Sequence, residues 1–106
     1  MATKKINMIA GLYNAFAFET ITVGTTAVGF TTATYKTDTH TAQRAVVTIE
    51  DAGVRYRYDG TNPTSSVGHQ LNPGDTLLVV GRGNLDNIKF IRSGTSDGKV
   101  VATYED

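Results

Sequence analysis

From Val54 to Thr64 the chain reads Val-Arg-Tyr-Arg-Tyr-Asp-Gly-Thr-Asn-Pro-Thr, an alternation of bulky apolar and basic side chains that runs straight into a turn. Successive residues of a β-strand point to opposite faces. Val54, Tyr56 and Tyr58 are therefore predicted on one face of a half-buried sheet, with Arg55 and Arg57 on the other. A helix, with 3.6 residues per turn, would scatter these five side chains around its axis. Asp59-Gly60 then ends the strand, because glycine reaches positive φ and aspartate caps the backbone NH groups of a turn.

Similar patterns recur along the chain, with strands predicted at 18–23, 27–36, 43–50, 53–58, 76–81, 87–92 and 98–104. Threonine is the commonest residue and only two prolines occur, which suits short strands joined by tight links. Val23–Thr26, Glu50–Gly53 and Ser93–Gly98 are predicted as short connections, the first two as hairpin turns. In Asn72-Pro73-Gly74-Asp75, proline fixes φ at the second position and glycine permits positive φ at the third, the pattern of a type II turn. At 106 residues the chain fits one domain with one modest core. The predicted class is all-β: a single β-sandwich or partly closed barrel of about seven strands over residues 18–106. Residues 1–17 read as an N-terminal arm, since Ile6, Met8, Ile9, Leu12, Tyr13, Phe16 and Phe18 fit neither a helical face nor strict alternation.

Ten basic and ten acidic side chains give no net charge, so no long-range field draws the chain to nucleic acid. No run approaches the roughly 20 apolar residues of a membrane helix. Lys4-Lys5 precede an apolar patch, but Asn7, Gly11 and Asn14 interrupt it, so a secretory signal is not expected. The chain has no cysteine, hence neither disulfides nor thiolate metal sites. His40 and His69 stand apart, without the spacing of a metal or catalytic centre, and read as loop residues. The acids Glu50, Asp51, Asp59, Asp75, Asp86 and Asp97 fall in or beside turn sequences rather than as a facing pair. Gly81-Arg82-Gly83-Asn84 lacks the remainder of any phosphate-binding motif and reads as a link between strands. Neither an enzyme, a cofactor nor a metal is expected. A binding face could be built from Arg55, Arg57, Tyr56, Tyr58, Phe90 and Tyr104, whose side chains combine contact area with directional polar groups.

The run Arg55–Thr64, continued by Gly68, Leu71 and Gly74-Asp75, resembles a strand-DGT-x-PT pattern in small structural proteins of tailed bacteriophages. The resemblance spans approximately Arg44–Tyr104. It implies a virion component, made in the host cytoplasm and placed on the head surface as a capsid decoration or cement protein. The partners implied by the resemblance are the major capsid protein, copies of the chain itself, or both, with a homotrimer as the assembly it suggests. A tail or fibre-associated module is the alternative within virions. Tyr58–Thr64 is also similar to the Y-T-x-D-G-S-x-P-T segment of β-sandwich modules of chitobiase-like enzymes, which implies a carbohydrate-binding module, although the chain has no tryptophan. The residues expected to form an interface are Ile6, Met8, Ile9, Leu12, Tyr13 and Phe16 of the arm, Arg55 and Arg57, and Thr61, Asn62, His69 and Gln70 of the loop.

Overall fold

The computed structural model describes residues 12–106; Ile6, Met8 and Ile9 lie outside them. The elements run β1 (Ala15–Val23), α1 (Thr32–Tyr35), β2 (Arg44–Glu50), β3 (Val54–Arg57), β4 (His69–Leu71), β5 (Thr76–Val80), α2 (Arg82–Asn87), β6 (Lys89–Arg92) and β7 (Gly98–Glu105). They form two antiparallel sheets, one ordered β1-β7-β2-β5 and the other β4-β3-β6. The all-β expectation holds, and the architecture is an open two-sheet sandwich rather than a closed barrel.

Alternation in the larger sheet sorts its side chains cleanly. Ile21 and Val23, Ala45, Val47 and Ile49, Val79, and Val100, Ala102 and Tyr104 are buried between the sheets, where Val54 and Phe90 meet them from the other side. Each large side chain so buried stabilises the fold by about 1.5–3 kcal/mol. Phe30, Tyr35, Phe90 and Tyr104 form an aromatic cluster, with Phe30 set edge-on to Tyr104 at 5.3 Å between ring centroids. Phe90 and Tyr104, expected as members of a binding face, are core residues instead.

The predicted strand over 27–36 is replaced by an isolated bridge, Val28 to Phe90, followed by the single turn α1. Phe30 and Tyr35 are an odd number of residues apart, so a continuous strand would face them oppositely. Both are buried, and the helical turn resolves that conflict. The Gly81–Asn84 link likewise contains the start of α2, which places Leu85 and then Ile88 in the core. β4 was not anticipated from the sequence.

The short links do not make hairpins. Glu50–Gly53 carries the chain from β2 in one sheet to β3 in the other, 72–75 does the same between β4 and β5, and 93–97 between β6 and β7. These crossings pack against one another. A Cβ on Gly98 would lie 2.5 Å from the carbonyl oxygen of Ala52, so only glycine fits there. The predicted turn at 72–75 forms as expected, with Gly74 at φ +92° and the Asp75 amide donating to the Asn72 carbonyl at 2.9 Å.

A candidate interaction surface

The outward face of the four-stranded sheet is the most distinctive surface of the described residues. Residues out of phase with the core in each strand form rows across it. One row reads Phe18, Thr103, Val46, Leu78, and its neighbour reads Thr20, Val101, Thr48, Thr76. Phe18 is 62% exposed, Leu78 40% and Val80 50%, while Val46, Val101 and Thr103 are half-buried beside them. No charged side chain belongs to either row; charge enters only at the two ends of the face. Lys99 and Glu50 lie opposite each other at one end, and Glu105 and Arg44 at the other.

The Arg44–Glu105 pair is buried, with Arg44 Nε donating to Glu105 Oε1. The Tyr13 ring packs 4.1 Å from the Arg44 guanidinium, a cation–π contact within the chain. Nearby, Phe16 stacks on His40 at 4.7 Å, and His40 Nδ1 meets an Asp106 carboxylate oxygen. Asn14 and Asp106 exchange backbone hydrogen bonds of 3.2 and 3.0 Å. Tyr13 and Phe16 are thus engaged in cis, and Phe16 belongs to β1. Leu12, 90% exposed, stands clear of these contacts.

The rim of this face is β5, whose main-chain orientation follows from its bonds. The Gly81 amide donates to Gln43 and the Asp75 carbonyl accepts from Ile49, so odd-numbered residues turn toward β2. Thr76, Leu78 and Val80 then turn their NH and C=O groups away from it. Asn84 Nδ2 donates to the Val80 carbonyl at 2.8 Å, and no other strand among the described residues pairs with that edge.

A second feature is a cleft of about 630 Å³ lined by Arg57, Tyr58, Asp59, Val67, Gly68, His69 and Asn84. Tyr58, just past the end of β3, is 48% exposed and stacks on Tyr56 at 6.2 Å, with His69 tilted against both rings. Arg57 donates to both Asp59 oxygens at 3.1 and 2.6 Å and thereby holds the Asp59 carboxyl below the usual carboxylate range.

The other expected site residues divide by what they already hold. Arg55 donates to the carbonyls of Ser65 at 3.0 Å and Gly68 at 2.9 Å, clamping the 58–68 loop to β3. Gln70 Nε2 donates to Ser93 Oγ at 3.0 Å and lies 3.2 Å from Asn72 Oδ1, tying β4 to the crossing after β6. Thr61 and Asn62 are exposed at the loop tip, away from the rows of the four-stranded sheet. Sequence reasoning missed Val46, Leu78, Val80, Val101 and Thr103 as surface-forming residues. The alternation of β2 and β7 held that information, but which side faced solvent depended on where the second sheet packed. Comparison with known protein families, characterised proteins and solved structures finds no match to this chain.

Proposed function

We propose that the protein is a non-enzymatic virion component of a tailed bacteriophage, a decoration protein that docks on the capsid exterior and ties neighbouring subunits together. The observation that carries the docking part is the uncharged Phe18–Thr103–Val46–Leu78 row, continuous with the open edge of β5. Burying Phe18, Leu78 or Val80 fully against a shell subunit would contribute about 1.5–3 kcal/mol apiece. Threonines between them supply hydrogen-bonding hydroxyls without the desolvation cost of charge. The assignment to a virion rests on the resemblance of Arg55–Thr64 to phage structural proteins. A protein that binds several assembled subunits at once stabilises the shell through linked contacts, so that loss of one does not release it.

Purified protein mixed with heads assembled without it tests the proposal. Saturable binding together with greater survival of heat or osmotic shock is the expected outcome, and absence of binding to heads removes the role. The cleft at Tyr58 favours a second reading, a carbohydrate-binding module. A half-exposed aromatic ring can stack on a sugar face while Asp59, His69 and Asn84 line the same hollow. That reading predicts affinity for an isolated glycan in the absence of heads, lost on Tyr58→Ala.

A further inference from the structure

We propose that two copies of this chain join edge to edge through β5, antiparallel and about a two-fold axis at Leu78, so that their four-stranded sheets become one continuous sheet. The inference rests on reading the protein as an assembly component, and it names the partner of the β5 edge as a second copy.

Each of the other sheet edges is blunted in a different way. β1 carries a register irregularity between Ala15 and Ala17 and an inward-turned glutamate, Glu19, which accepts from the Tyr104 hydroxyl. β4 is only three residues long. β6 is already paired on its far side with Val28, through two hydrogen bonds of 2.8 Å. These are the devices by which sheet proteins avoid uncontrolled pairing. β5, Thr-Leu-Leu-Val-Val, has none of them: no charge, no proline, no irregularity in its register with β2.

The edge is also self-complementary. Thr76, Leu78 and Val80 are the residues whose main-chain groups turn outward, and a two-fold at Leu78 sets each against a residue of the same phase. Leu78 then exchanges both hydrogen bonds with Leu78 of the second copy, and Thr76 faces Val80. The Val80 carbonyl, already accepting from Asn84, has a second lone pair for the Thr76 amide. On the outer face the exposed Leu78 side chains meet across the axis, with Val80 beside Thr76.

Charge selects this orientation. Asp75 precedes the strand and Arg82 follows it by two residues; both are exposed and neither forms an ion pair among the described residues. Antiparallel pairing about Leu78 brings the Asp75 end of each strand to the Arg82 end of the other, so opposite charges meet at both ends of the joint. Parallel pairing would instead set acid beside acid and base beside base.

Sedimentation equilibrium of the purified chain over a wide concentration range tests the joint, with circular dichroism confirming that each variant is folded. The wild type is expected to reach a dimer, and Leu78→Lys, at an exposed position, to remain monomeric. Asp75→Arg and Arg82→Glu, each alone, are expected to weaken dimerisation at least about tenfold. An equimolar mixture of those two variants restores opposite charges at both ends and should recover the dimer. Asp75 also accepts from the Asn72 amide at 2.7 Å, so the recovery in the mixture separates a charge effect from damage to the turn. A wild type that stays monomeric, a trimer, a dimer unaffected by Leu78→Lys, or no recovery on mixing overturns the inference. Head binding measured in parallel keeps the two readings apart: a monomer that still occupies heads contradicts the β5 joint alone.

Discussion

At the scale of single residues, the described structure separates polar groups that hold the fold from those that only decorate it. Arg44 and Glu105 are buried together under Tyr13, so removing the carboxylate takes a buried, charge-assisted hydrogen bond from the guanidinium. Glu105→Ala is expected to lower unfolding stability by about 1.5–3 kcal/mol in a urea titration. Arg57→Ala breaks an exposed, solvent-screened pair and should cost far less. Equal losses at the two positions would contradict this ranking. Arg55 is different again, since its bonds to Ser65 and Gly68 carbonyls restrain a loop. Arg55→Ala should therefore speed amide exchange at Ser66 and Val67 while leaving that of β7 unchanged. The alternation around Arg55 and Arg57 was legible from the sequence, whereas their uses were not, because both partners come from the 58–68 loop.

At the scale of elements, the aromatic cluster joins α1 to the sheets through hydroxyls that must stay protonated. Burial, then the hydrogen bond to Asp86, pushes the Tyr35 phenol up to about 12, and burial with Glu19 raises Tyr104 further still. These phenols keep their protons in the folded state after the unfolded chain has lost them. The stability they contribute is intact below pH ~10 and falls as pH rises through the folded pKa of Tyr35, with a slope of up to about 1.4 kcal/mol per pH unit for each group. Alkaline unfolding should thus accompany tyrosinate absorbance, and full titration of all tyrosines near pH ~10 without unfolding would contradict it. The crossings make a second element-scale prediction. Gly98→Ala drives a methyl into the Ala52 carbonyl and should destabilise by about 1–3 kcal/mol, read as a lowered Tm. The strands β2, β3, β6 and β7 were readable from alternation, and the 72–75 turn from Pro73-Gly74. Their pairing was not, because Glu50–Gly53 looks locally like a hairpin turn and only the packing of Gly53 and Gly98 sends the chain to the other sheet. Likewise α1 and α2 are too short for periodicity to reveal; tertiary burial of Tyr35 and Leu85 decides them.

At the scale of the whole molecule, the described residues of the sandwich expose a broad face whose central rows carry no charge and the edge of β5, and these are where an assembly protein would meet its partners. Of the described residues expected at the interface, Tyr13, Phe16, Arg55 and Gln70 make contacts within the chain. The working surface is instead proposed on the outer side of the four-stranded sheet, built by strands distant in sequence. Phe18 sits at its far rim from β5 and takes no part in the core, so altering it changes the surface without touching the fold or the β5 joint. The most direct measurement is co-sedimentation of wild type and Phe18→Glu with tailed-phage heads assembled without the protein. The account predicts saturable binding of the wild type and at least about a tenfold weaker affinity for the variant, consistent with a charge forced against an apolar contact. Equal occupancy by both, or no binding of the wild type, would contradict it.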